Sequence, residues 1–165
     1  IREWKVGNPL DPANHIGALI DKDHCSKVRS YLDDKGDGPF ISPTVFEVEA
    51  DDQRARDEIF GPVLCVITVD SNDEAVQVAN DTHYGLTASL FSAGSRSAIR
   101  AARDIRAGTI TVNCYGEGNI ATPFGGYKQS GFGGRDNGLH AHDQYTEIKT
   151  IWIDLNDPAD GKNVT

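Results

Sequence analysis

Apolar positions recur at two periods along this chain, and the switches between them predict its elements. From 21 to 34 they fall at Cys25, Val28, Tyr31 and Leu32, one face of a helix, with Asp21 or Asp23 available as N-cap. Phe40 to Val48 reads as a strand, edge-like or bent because Pro43 brings no amide hydrogen. The charged stretch Asp51 to Glu58 predicts a loop or a short helical turn. Val63 to Val69 is a nearly unbroken apolar run, which suits a central parallel strand covered on both faces. Ser71 to Glu74 is a capping box, and the helix it opens places Ala75, Val78 and Ala79 on one face. Leu86 to Ser92 follows as a strand. A helix over Ser95 to Ala107 then buries Ala98, Ile99, Ala102 and Ile105, with Gly108 as its C′ residue. Thr109 opens the next strand. Strand, helix, strand, helix, strand with short connections predicts an α/β fold, a parallel sheet with flanking helices.

The ends are less regular. Residues 1 to 20 carry turn formers at Gly7-Asn8-Pro9 and Asp11-Pro12. Gly138 to Tyr145 predicts a short helix. In Thr146 to Asp154 the residues Ile148, Ile151 and Ile153 alternate in part with Glu147, Lys149 and Asp154, so a terminal strand is expected that must pair somewhere. Residues 156–165 are polar and expected to fray.

Residues 109 to 135 carry the densest chemistry. The apolar run Thr109 to Tyr115 opens into Gly116, Gly118, Gly125, Gly126, Gly131, Gly133 and Gly134. Glycine serves where the backbone turns to positive φ or lets another group come close, so this reads as a site-forming loop on a rigid strand. Gly116 to Ala121 fits G-x-G-x-x-A after a strand, the dinucleotide fingerprint on paper. Pro123, Gly125 and Gly126 follow at once, leaving no helix N-terminus to hold a pyrophosphate.

A formal net charge of −9 and a pI near 4.9 argue against nucleic acid and anionic membrane surfaces as partners. Arg96, Arg100, Arg103 and Arg106 cluster at helical spacing and read as a solvated face. No apolar run approaches a membrane span. Cys25, Cys65 and Cys114 are odd in number and widely spaced, which is neither a disulfide framework nor a metal set and suits a reducing cytosol. His140 and His142 alone lack the ligand count of a zinc site. The chain starts at Ile1 and has no methionine, so a piece of a longer polypeptide is expected.

Three segments in order, EIFGPV (58 to 63), PFGGYKQSG (123 to 131) and YTEIKTIWIDL (145 to 155), resemble the aldehyde dehydrogenase superfamily. GNPLDP, TPFGGYKQSG, GRDNGLHA and TEIKTIWI are similar in particular to γ-glutamyl-γ-aminobutyraldehyde dehydrogenases. The likeness runs from about Val6 to Leu155. One departure is the short Asp33 to Gly38 turn, where the family has a longer connection.

The resemblance implies oxidation of an aldehyde to an acid with hydride passed to NAD or NADP. It implies that Glu58 accepts hydrogen bonds from the nicotinamide ribose and that Phe60 packs by the nicotinamide ring. The loop 116 to 120 falls on the family's substrate entrance, with Glu117 and a roomy Gly118 suiting a cationic aminoaldehyde, and Phe124 lies near the reacting carbon. No catalytic residue is expected here, since the family's nucleophilic cysteine and water-activating glutamate precede the part that this chain matches. Cys114 has no local cation or helix N-terminus to lower its pKa and reads as a packed or pocket-lining thiol. The resemblance divides the chain into a partial catalytic domain (1–144), a strand for contact within a homo-oligomer (145–155) and a polar tail (156–165). The other reading is a non-catalytic interaction module that kept the fold and that strand.

Overall fold

The computed structural model describes residues 1, 3–116 and 118–155. Helix α1 spans Lys22–Ser30, and Asp21 caps it by accepting the His24 amide at 2.7 Å. Its buried face is Cys25, Val28 and Arg29. Val28 is fully buried and forms a small core with Ile41 and Ile59, walled by Leu19, Tyr31, Leu32 and Val63. Arg29 is buried beside it. Its guanidinium donates to the Asp34 carboxylate and to the carbonyls of Gly38 and Phe40, so the short 33–38 turn closes around a charge-assisted cluster. The Gly36 amide and then Arg29 hold the Asp34 carboxyl below the usual range.

Strand β1 (Thr44–Glu47) lies parallel to β2 (Val63–Val66), and helix α2 (Gln53–Arg56) falls between them in sequence. Helix α3 (Asn72–Asn80), strand β3 (Thr87–Leu90), helix α4 (Ser95–Asp104) and strand β4 (Thr109–Val112) complete the pattern. β3 and β4 pair in parallel, Thr87 opposite Thr109 through Leu90 opposite Val112. At α3 the Ser71 hydroxyl accepts the Glu74 amide, while Glu74 reaches back to the amide of Asp70. The α/β fold and its parallel pairing are as expected.

Several expectations are corrected. The parallel strands form two separate pairs, β1–β2 and β3–β4, among the described residues. The 63–69 run is therefore not covered on both faces. Burial alternates along β2, and Leu64 and Val66 are exposed because α1 and its neighbours pack one side only. The strands expected over 40–48 and 86–92 shrink to 44–47 and 87–90. On α3, Ala75 and Ala79 are exposed and Val76 and Val78 are half-buried. On α4, Ala98 and Ala101 are buried but Ile99 is 62% exposed, about a third of a turn off the buried stripe. Gly108 is no C′ residue: α4 ends at Asp104 with Ile105 extended, and Gly108 serves a close backbone approach instead.

A six-residue 3-10 helix, Leu139–Gln144, stands where a short helix was expected. Residues 146–155 form no strand with any described residue. Ile148, Ile151, Trp152, Ile153 and Leu155 are exposed, since extended chain becomes a strand only when another edge meets it. The 156–165 tail lies outside the described residues.

Candidate functional site

The turn Asp57 to Pro62 rests on α1. Ile59 points into the core at 7% exposure, which throws its neighbours Glu58 and Phe60 outward. Phe60 adopts a φ of 62°, costly for a side chain with a β-carbon unless its surroundings impose it. Those surroundings are one stripe of α1 and its C-cap, His24, Lys27, Val28 and Tyr31. The Lys27 ammonium donates to the Glu58 carbonyl at 3.1 Å. His24 Nε2 lies 2.7 Å from the Phe60 carbonyl, and a carbonyl only accepts, so the hydrogen sits on Nε2. The Tyr31 hydroxyl donates to Asp57 at 2.8 Å, a bond that pushes its own pKa up. At Gly61 a β-carbon would come within 2.7 Å of a Val28 methyl, so only glycine lets the turn lie this close.

The Glu58 carboxylate is exposed and makes no hydrogen bond to a described residue, while Phe60 is 73% exposed. Free acceptor oxygens beside an open aromatic face suit a sugar diol attached to a flat ring.

The second region follows β4. Asn113 takes a φ of 56°, and its side-chain amide joins the end of β4 to Ser92 by two hydrogen bonds. Gly116 stands at φ 70°, with open space where a side chain would go, and Gly118 is equally open. The loop returns at Phe124, whose amide and carbonyl exchange 2.7 Å bonds with Asp136. Between this loop and the open face of β3 and β4 lies a cavity of about 410 Å³, lined by Gly118 and Phe124 together with Thr87, Ser89, Thr111 and Tyr115. Thr109 also borders it, and its buried hydroxyl has no hydrogen-bond partner among the described residues. Glu117 lies outside the described residues.

The 125–131 segment is the foot of that loop. Tyr127 and Gln129 donate their amides to the Gly85 and His83 carbonyls, and the Gly85 amide donates to the Ser130 hydroxyl. Lys128, at φ 55°, sends its ammonium to the carbonyls of Asn80 and Thr82 at the C-terminal end of α3. No helix begins near Ala121, in keeping with rejection of the dinucleotide fingerprint there.

Gly118 and Phe124 share one cavity, while Glu58 lines a neighbouring one of about 500 Å³ and Phe60 borders neither. Thr87 and Ala88 border both cavities. Sequence reading missed His24, Lys27, Asn113 and Lys128. The stripe 24, 27, 28, 31 was visible as helical spacing, but nothing in it announced which turn it would grip.

Other candidates recede. Among the described residues no group of three or more potential ligands could hold a metal. Cys25 is buried, and burial pushes the Cys65 thiol up, away from the reactive thiolate. Cys114, two residues past the end of β4, is half-buried. Arg96, Arg100, Arg103 and Arg106 are exposed, as a solvated face requires. No described helix is long and apolar enough to cross a membrane.

The profile of the aldehyde dehydrogenase family matches residues 1–151. This chain belongs to the aldehyde dehydrogenase family. It is 52% identical to an aminoacetaldehyde dehydrogenase of Pseudomonas aeruginosa, over 93% of this chain and 34% of that relative. It is 44% identical to the NADP/NAD-dependent aldehyde dehydrogenase PuuC of Escherichia coli, with the same coverage. Among solved structures, a γ-glutamyl-γ-aminobutyraldehyde dehydrogenase from Burkholderia cenocepacia superposes with a TM-score of 0.82 at 46% identity, over 90% of this chain and 33% of that one. An indole-3-acetaldehyde dehydrogenase of P. syringae, solved with NAD+ and IAA, gives 0.84 at 44%, over 93% of this chain and 34% of that one. The chain thus spans about a third of the length of these aldehyde dehydrogenases.

Proposed function

We propose that this chain is the C-terminal part of the catalytic domain of an NAD(P)-dependent aldehyde dehydrogenase, and that the complete protein oxidises an aminoaldehyde to the carboxylic acid. The observation that carries the reading is the Glu58–Phe60 turn, which turns an unpartnered carboxylate and an open aromatic face outward around a buried isoleucine. Bound there, the cofactor supplies a nicotinamide that accepts hydride. Glu58 accepts hydrogen bonds from the adjoining ribose, and Phe60 packs by the ring. Gly118 and Phe124 line the substrate approach, and the acidic residue next in sequence to Gly118, Glu117, supplies negative charge suited to a cationic aldehyde. The names of two relatives, an aminoacetaldehyde and a γ-glutamyl-γ-aminobutyraldehyde dehydrogenase, support that substrate class.

The thiolate that attacks the aldehyde and the carboxylate that activates water lie outside residues 1–165 in this reading, so the isolated chain does not turn over. Residues 145–155, with Ile148, Ile151 and Trp152 exposed, supply the strand through which the complete protein forms a homo-oligomer in the cytoplasm. That row of exposed apolar side chains also favours the second reading, an interaction module that self-associates without binding cofactor.

The full-length protein, assayed for NAD(P)H formation with aminoaldehydes, decides between the two. Glu58→Gln should cost tenfold or more in kcat/KM, since hydrogen bonds to a charged group are worth roughly 1.5–3 kcal/mol. No NAD(P)H from any aldehyde, or turnover by the 165-residue chain alone, would overturn the proposal. For the aminoaldehyde, Glu117→Gln should lower the preference for cationic over neutral aldehydes; an unchanged ratio removes that part.

A further inference from the structure

The grip of α1 on the Glu58–Phe60 turn has a functional reading of its own, which rests on the role of Phe60 proposed above. We propose that His24 is a positioning residue for the nicotinamide half of the cofactor, acting through the Phe60 carbonyl. The turn meets α1 at three polar points, and each does a different job. Tyr31 holds the side chain of Asp57 and Lys27 holds the Glu58 carbonyl, both ahead of the buried Ile59. His24 alone grips the residue after it, at 2.7 Å on the Phe60 carbonyl. Its ring also meets the Phe60 ring edge-on, with centroids 6.3 Å apart.

Phe60 needs that grip. A phenylalanine at φ 62° sits in a region that side chains with a β-carbon leave readily, and its ring, 73% exposed, has little packing to hold it. Its flanks are already fixed, by Ile59 in the core and by Gly61 against Val28. The remaining freedom is rotation of the residue itself. A hydrogen bond to its carbonyl restrains that rotation, and with it the direction in which the ring projects. His24 touches no cofactor atom in this account; it fixes the aromatic face against which the ring lies. Both the imidazolium and the neutral tautomer with hydrogen on Nε2 donate this bond.

Binding of NAD+ to the full-length protein, followed by calorimetric titration, tests the role without needing turnover. AMP, which lacks the nicotinamide half, serves as the control ligand. His24→Ala should weaken NAD+ binding about three- to tenfold, the range of one lost hydrogen bond, and leave AMP within about twofold. His24→Gln, which restores an N–H donor, should recover most of the affinity. His24→Leu keeps bulk without the donor and carries the test if the alanine variant does not fold. In a Phe60→Ala background, removing His24 should have no further effect on NAD+, because the ring it orients is gone.

Equal weakening of NAD+ and AMP, failure of glutamine to rescue, or additive effects of the two substitutions would each overturn the inference. Failure of the underlying reading looks different: Phe60→Ala and Glu58→Gln would then leave NAD+ binding unchanged. If those two weaken NAD+ and His24→Ala does not, only the positioning role falls.

Discussion

The turn at 57–62 and the loop at 115–124 both present side chains to the candidate site, yet they are held in opposite ways. The turn is gripped along its length, with Ile59 buried, Gly61 against Val28 and hydrogen bonds from His24, Lys27 and Tyr31. The loop is gripped at its feet. Asn113 fixes its start, and the Gly138 amide on the Ile120 carbonyl with the Phe124–Asp136 exchange fixes its return, while Tyr115 stands exposed and Gly116 and Gly118 face open space. A segment pinned everywhere presents one geometry, which suits a cofactor common to many reactions. A segment pinned at its ends tolerates new side chains, which suits the part that selects among aldehydes.

The sharpest way to break the contrast is at the loop's foot, where the packing is tighter than anywhere in the turn. A β-carbon at Gly108 would lie 1.7 Å from the Gly125 carbonyl oxygen, backbone against backbone, with no side chain to swing aside. Gly108→Ala should cost about 3 kcal/mol or more and undock the 125–131 segment. The apparent melting temperature of the full-length protein checks it, and a wild-type value would mean that the foot is not held as described.

Next in size is Gly61→Ala, whose added methyl meets Val28 at 2.7 and 2.9 Å. Val28 is fully buried and cannot retreat, so about 1–3 kcal/mol should be lost. In a Val28→Ala background part of that loss should disappear, since the smaller residue leaves room. A strictly additive pair would show that the clash is not what the glycine avoids. Gly118→Leu is the counterpart in the loop. Its backbone, at φ 157°, is strained for any side chain by about 1–3 kcal/mol, although nothing obstructs the new side chain itself. KM for bulky aldehydes should rise several-fold as the cavity of about 410 Å³ fills, while the melting temperature falls less than in Gly108→Ala because the new side chain meets no packed backbone. Unchanged selectivity would place the substrate approach elsewhere.

The same contrast explains what the sequence made legible. Capping at Ser71 and Asp21, the Cys25–Val28 stripe of α1 and the parallel β-α-β order are local signals, and they stand in the structure. The outward placement of Glu58 and Phe60 follows from one buried isoleucine between them. What failed depended on neighbours distant in the chain. Gly108 looked like a helix stop because it follows a helix, whereas its role comes from Gly125, seventeen positions on by sequence number. The 63–69 run looked doubly covered because apolar composition records a buried environment without recording which chain segment provides it. Residues 146–154 alternate like a strand, but a strand is a relation between two segments, and here the other is not among the described residues.

Acid should expose the turn's second support with the smallest effect. Asp52 caps α2, accepting the Arg54 amide at 2.8 Å and the guanidinium through both carboxylate oxygens, and that guanidinium lies 4.4 Å from the centre of the Phe46 ring on β1. From the same, N-terminal end of α2, the Gln53 side-chain amide donates along the helix to the C-cap Asp57, where the turn begins. The Arg54 side chain, then its amide, lowers the Asp52 pKa to about 2. The unfolded chain, with an ordinary carboxyl near ~3.9, binds more protons across that interval. The stabilisation is therefore complete above the ordinary value and is lost as pH falls through about 2. Denaturant midpoints between pH 5 and 2 should fall less steeply for Asp52→Asn than for the wild type, and the difference should shrink in high salt because the pair is partly exposed. Equal slopes would remove α2 from the turn's supports and leave α1 to hold it alone.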